Sequence, residues 1–191
     1  MMLFSSSSSS CSRCCCVSAL VHQPRAINTH ENAQQQHTAL IRTRVQTPGR
    51  RRLLNVRVVS SYAPVAASDN AGERREHLEH LEQCIRETRQ HEVLLIGTDA
   101  NAQLGRSEDG NDPVVGAHGV AADGGSAAQR AAAQALHAMM AAHELCAANT
   151  LFHQPHGPHT YHGAENQRPR QIDLWIVRRA DARPRASYVP R

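Results

Sequence analysis

The segment Val93-Leu94-Leu95-Ile96-Gly97 restricts the fold of this chain more than any other. It is short, continuous and apolar, with no helical period, and reads as a strand buried inside a sheet. Immediately before it, Glu73–His91 carries Leu78, Leu81, Cys84, Ile85 and Thr88 at three- and four-residue steps with charges on the other side, which predicts an amphipathic helix. Further upstream, Ala39–Val45 and Leu53–Ser60 are rich in β-branched residues. They are separated by Thr47, Pro48 and Gly49, so they predict a hairpin, and Tyr62-Ala63-Pro64 ends its second strand. Downstream, Arg106–Gly125 reads as a long polar loop. Ser126 is placed to cap a second helix, Ala127–Glu144, with Leu136, Met139 and Met140 on its buried face. Leu145–Thr150, His159–His162 and Gln171–Arg178 read as strands, with Trp175 and Ile176 in the core. Strands alternating with helices after a hairpin predict an α/β fold with a mixed sheet.

Composition narrows the class. Aromatic residues are only 3% of the chain, so its core must rest on Ala, Val, Leu and Ile. No apolar run approaches the roughly 18 residues that cross a membrane, and no membrane partner is expected. All 21 basic Lys+Arg residues are Arg, a bias that codon usage in a GC-rich genome explains. Residues 1–60 carry +7 and residues 61–191 carry −3, so the basic excess is confined to the front and identifies no phosphate-binding face.

Residues 1–37 are expected to be a low-complexity tail, with six serines in a row and Cys11, Cys14, Cys15 and Cys16 close behind. The absence of acids from the first 30 residues also suits an organelle transit peptide. The Cys11-x-x-Cys14 spacing has no second Cys/His pair at zinc-finger distance, and Cys84 and Cys146 are too few for a disulfide framework. A folded domain is expected over 38–180, with a polar tail over 181–191.

Chemistry points first to Gly97-Thr98-Asp99-Ala100-Asn101. A buried strand delivering a carboxylate and a carboxamide at its C-terminal end is a common site geometry in α/β folds. Alternation in Asp-x-Asn is expected to send both side chains to one side. An Asp there can orient or deprotonate a water, and an Asn can donate to a phosphate oxygen. The other candidates are weaker. His153, His156, His159 and His162 recur every third residue, but Pro155, Gly157 and Pro158 forbid a helix, and the spacing fits no usual zinc pattern. His77 and His80 lie among glutamates and read as a solvated helix face, and His118 reads as a loop residue. No P-loop, Gly-x-Ser-x-Gly or His-Glu-x-x-His is present.

The order of motifs adds a resemblance. Ser61-Tyr62-Ala63-Pro64, a helix, VLLIGTDAN, a second helix, Asn149-Thr150-Leu151-Phe152, Thr160-Tyr161 and QIDLWIV follow one another. This order resembles the endonuclease/exonuclease/phosphatase superfamily, the deoxyribonuclease I-like fold. Within it the sequence is most similar to non-LTR retrotransposon endonucleases and craniofacial development protein 2-like sequences. The resemblance implies a partial α/β sandwich of mixed sheets flanked by helices, and metal-dependent phosphodiester hydrolysis, most often on DNA.

It also implies roles for four residues. Tyr62 would contact the scissile phosphate, and Asp99 would orient or activate the attacking water beside the metal. Asn101 would hold the phosphate, and Asp173 would orient a catalytic His. The implied cation is Mg²⁺ or Mn²⁺, held by Asp99 and Asn101. Glu31 is the only acid in residues 1–60 and lies on no recognisable strand, and no His follows Asp173. The chain therefore reads as such a domain short of the family's metal-binding Glu and terminal His. The other expectation it supports is a catalytically dead retroelement remnant or a binding module on the same scaffold. A working retroelement endonuclease would act in the nucleus, while the serine-rich tail leaves organelle targeting open.

Overall fold

The computed structural model describes residues 38–46, 53–122, 125–163 and 168–182. The N-terminal tail with its four cysteines, the hairpin turn at Thr47-Pro48-Gly49 and the segment after Ala182 lie outside the described residues. Five strands form one mixed sheet in the spatial order β1-β2-β3-β5-β4. They are β1 (Thr38–Gln46), β2 (Leu53–Tyr62), β3 (Val93–Asp99), β4 (Leu145–Ala147) and β5 (Asp173–Arg178). β1 and β2 pair antiparallel as the expected hairpin, β2 and β3 pair parallel, and β5 runs antiparallel to both β3 and β4. A parallel β2–β3 pair needs a crossover, and α1 (Ala71–Arg86) supplies it. α2 (Ala127–Ala142) joins β3 to β4 through the long loop.

The core lies between the sheet and the two helices. Val59, Leu94, Ile96, Leu174 and Ile176 from the strands meet Leu81 and Ile85 of α1 and Leu136 and Met140 of α2. Ser126 caps α2 as expected: its side chain accepts from the Gln129 N–H, and the Gln129 amide reaches back to the Ser126 N–H. Leu145–Thr150 is a strand only to Ala147 and then tightens into a 3₁₀ turn over Ala148–Thr150. The expected strand at His159–His162 reduces to one bridge between Tyr161 and Arg170.

Four expectations are corrected. The β3 strand is not buried on both faces: Leu94, Ile96 and Thr98 are buried while Val93, Leu95 and Gly97 are only half-buried. The opposite face of the sheet carries no helix among the described residues. For the same reason Trp175 is not core: it stands on the open face at 53% exposure, while its neighbour Ile176 is fully buried. Nor is His77 solvated. It is buried on α1, with Nε2 3.0 Å from the Ser61 hydroxyl of β2, whereas His80 is exposed as expected. The polar loop is not polar throughout, since Val114 and Val115 are buried in it.

Candidate active site

The register of the sheet, rather than any local motif, assembles the site. Tyr62 ends β2, Asp99 ends β3 and Asp173 begins β5. Tyr62 pairs with Asp99 across the parallel ladder, and Asp99 pairs with Asp173 across the antiparallel one. Side chains directly opposite one another across a ladder point to the same face. The three therefore form one row across the end of the sheet, on the face without helices. Tyr62 and Asp173 are exposed and Asp99 is half-buried.

Asn101 joins them by a different route. The strand stops at Asp99, and Asn101 lies beyond it with φ of +44°, in the left-handed region that Asn tolerates better than most residues. Strand alternation therefore does not place it. Its backbone N–H donates to Asp99 Oδ1 at 3.0 Å, and its side-chain Nδ2 donates to the Ala63 carbonyl at 2.8 Å. This ties the ends of β2 and β3 together, with Ala63 N–H donating to Asp99 O at 2.8 Å as a second tie. Beneath them Arg74 of α1 is buried, and its guanidinium donates to the carbonyls of Pro64 and Ala100.

The electrostatics match this geometry. Burial pushes the Asp99 carboxyl above the usual carboxylate range, the Asn101 N–H pulls it part-way back, and the facing Asp173 charge adds to the rise. Among the described residues no group of three His, Cys, Asp or Glu is arranged to hold a metal ion. The donor set at the row is two carboxylates, Asp99 and Asp173. That suits a hard cation that keeps several waters and takes the rest of its ligands from substrate phosphate. Asn101 spends one amide N–H on Ala63, which leaves its oxygen as the atom it could offer a cation and its second N–H for a phosphate oxygen.

Two residues that sequence reasoning quoted but gave no role hold Asp173 in place. The Asn149 side chain donates to Asp173 O at 3.0 Å and accepts from Trp175 N–H at 3.1 Å, bridging successive turns of the β5 pleat. Thr160 Oγ1 accepts from the N–H groups of Ile172 and Asp173 at 3.1 and 3.0 Å. Both lie in the Asn-Thr-x-Phe and Thr-Tyr segments on which the resemblance rests. Among the described residues no histidine is hydrogen-bonded to the Asp173 carboxylate. His118 and His153 instead meet edge-on, with ring centroids 6.1 Å apart.

No family model matches this chain, and no curated protein matches it. No helix among the described residues is long and apolar enough to cross a membrane. Among solved structures, the chain is similar to a crystal structure of D. rerio TDP2 humanised by 14 mutations, with a TM-score of 0.41 and 15% sequence identity. The match covers 74% of this chain and 45% of that one, so the chain spans less than half the length of the structure it resembles.

Proposed function

We propose that this chain is a metal-dependent phosphodiesterase of the deoxyribonuclease I-like type, acting on nucleic acid and most naturally on DNA, as retroelement endonucleases do. The observation that carries the reading is the single row Tyr62–Asp99–Asp173 with Asn101 tied to it. It brings together, from three strands and a loop, the four positions that the motif order picks out. A divalent ion held by Asp99 and Asp173 with water and substrate would polarise the phosphoryl oxygen. Asp99, raised in pKa and facing solvent on one side, orients and deprotonates the attacking water. Tyr62 and the Asn101 amide bind the phosphate and take up charge as it develops. Asp173, held by Asn149 and Thr160, fixes the second carboxylate.

Nicking of supercoiled plasmid in Mg²⁺ or Mn²⁺ tests this. The expected outcome is slow nicking, because no histidine partners Asp173 among the described residues. It should be abolished by EDTA and reduced at least about a hundredfold by Asp99→Ala. Absence of nicking in every metal, with the protein folded, would exclude the hydrolytic reading.

A further inference from the structure

The aromatic residues run against the usual rule of burial. The chain has six, two Phe, three Tyr and one Trp. Among the described residues there are four, Tyr62, Phe152, Tyr161 and Trp175, and all are exposed, at between 43% and 53%. The core is built from aliphatic side chains and methionine instead. Large rings bury more apolar area than other side chains, so keeping all four at the surface gives up the best core material available. Nor are they scattered. Tyr62 is in the row itself, and Trp175 is two residues beyond Asp173 on the same face. Two residues of strand span about 7 Å, so Trp175 stands one pleat from the row. Asn149, which bonds the Asp173 carbonyl and the Trp175 N–H, lies three residues before Phe152. Thr160, which accepts from the Asp173 N–H, immediately precedes Tyr161.

We propose that these rings form a stacking platform for unpaired nucleobases beside the phosphate that the row engages. The substrate strand is then single or locally opened rather than a closed duplex. This rests on the hydrolytic reading for the phosphate and adds the substrate class. Inside a duplex each base face is covered by its neighbours, and only an unpaired or extruded base offers a π-face to a protein ring. Trp175 is prepared for such a contact. Its ring lies against Gly97, where a β-carbon would sit 3.0 Å from it, so the sheet backs one side while half of the residue stays open. A ring held in this way loses little freedom when a base stacks on it. Every base has a π-face, so the platform selects unpaired strand over duplex without selecting sequence.

The single tryptophan reports on this directly. The full chain is titrated in low-salt buffer with EDTA, where nothing is hydrolysed. The ligands are a short mixed-sequence single strand, as DNA and as RNA, the corresponding duplex, and a strand of the same length without bases. The single strand should quench Trp175 fluorescence and bind about tenfold tighter than the duplex or the abasic strand, the effect of one stacked base. The tighter of the DNA and RNA forms names the strand. The abasic strand carries the same phosphates, so this comparison isolates the bases and needs no variant. By anisotropy of a labelled strand, Trp175→Ser should weaken binding about tenfold, and Trp175→Phe should restore most of it. Single-strand binding without quenching, equal binding of all ligands, or no binding at all would overturn the proposal. Quenching without cleavage of any strand would keep the platform and remove the hydrolytic reading, whereas plasmid nicking without quenching would do the reverse.

Discussion

Asp99 shows what the site demands of a single residue. Its folded-state pKa is raised, chiefly by burial and further by Asp173, so at neutral pH its ionised form is less stable in the fold than in the unfolded chain. That cost is present in full above the folded pKa and fades as pH falls through it. Asp99→Asn removes the charge and keeps an oxygen for the Asn101 N–H. Its melting temperature at pH 7 should therefore equal or exceed that of the wild type while nicking is lost, the usual trade between stability and activity at a functional carboxylate. A melting temperature several degrees lower would mean that Asp99 is structural. Asn101 should behave oppositely. Asn101→Ala loses the bond to Ala63 O and also the polar side chain that lets Asn tolerate the left-handed region better than Ala, which together cost about 2 kcal/mol. Asn101→Gly loses only the bond and should be milder, a difference that urea denaturation resolves. The sequence marked both residues as a pair, but it attributed their placement to strand alternation. The structure uses a turn, because the strand has already ended.

At the scale of elements, the periodic signals were legible and the polar contacts between distant segments were not. Leu81 and Ile85 of α1 and Leu136 and Met140 of α2 are buried as their spacing predicts. α1 also buries Arg74 and His77, whose partners Pro64, Ala100 and Ser61 come from other elements. A helical period records only which face turns inward, and it cannot show that the inward face meets carbonyls and a hydroxyl. The long loop follows the same logic. Asp112 accepts from the N–H groups of Val114 and Val115 and so turns two isolated apolar residues into the core. Gly116 then packs its backbone against Thr150, where a β-carbon would lie 2.3 Å from the Thr150 carbonyl oxygen. Gly116→Ala should therefore cost about 2–3 kcal/mol by forcing the loop off the 3₁₀ turn. Ser126→Ala should cost only about 1 kcal/mol, because it opens a cap at an exposed helix end. Denaturant melts of the two variants should keep that order.

At the scale of the molecule, the described residues form a sheet with helices on one face, and the most informative probe is the single tryptophan of the chain. On the open face Ile41, Val58, Leu95 and Val177 share one row, and Ala39, Ser60, Gly97 and Trp175 share the next. The Trp175 ring lies over Gly97, where a β-carbon would sit 3.0 Å from it. A continuous apolar β3 is what a strand covered on both faces would need, and this explains why the sequence predicted full burial: apolar content reports what a face is able to cover, whereas the partner that covers it is set elsewhere. Adjacent residues of β5 then make a direct comparison. Ile176 is 0% exposed against both helices, so Ile176→Ala should cost about 3–4 kcal/mol through lost burial and an unfilled cavity. Trp175, at 53% exposure, has little burial to lose, so Trp175→Ser should cost under about 1.5 kcal/mol despite removing the larger side chain. In the native wild type, acrylamide should quench Trp175 fluorescence nearly as well as it quenches the unfolded chain. If Trp175→Ser destabilises as much as Ile176→Ala, and native fluorescence resists quenching, then this face is covered in solution and the one-sided sheet is wrong.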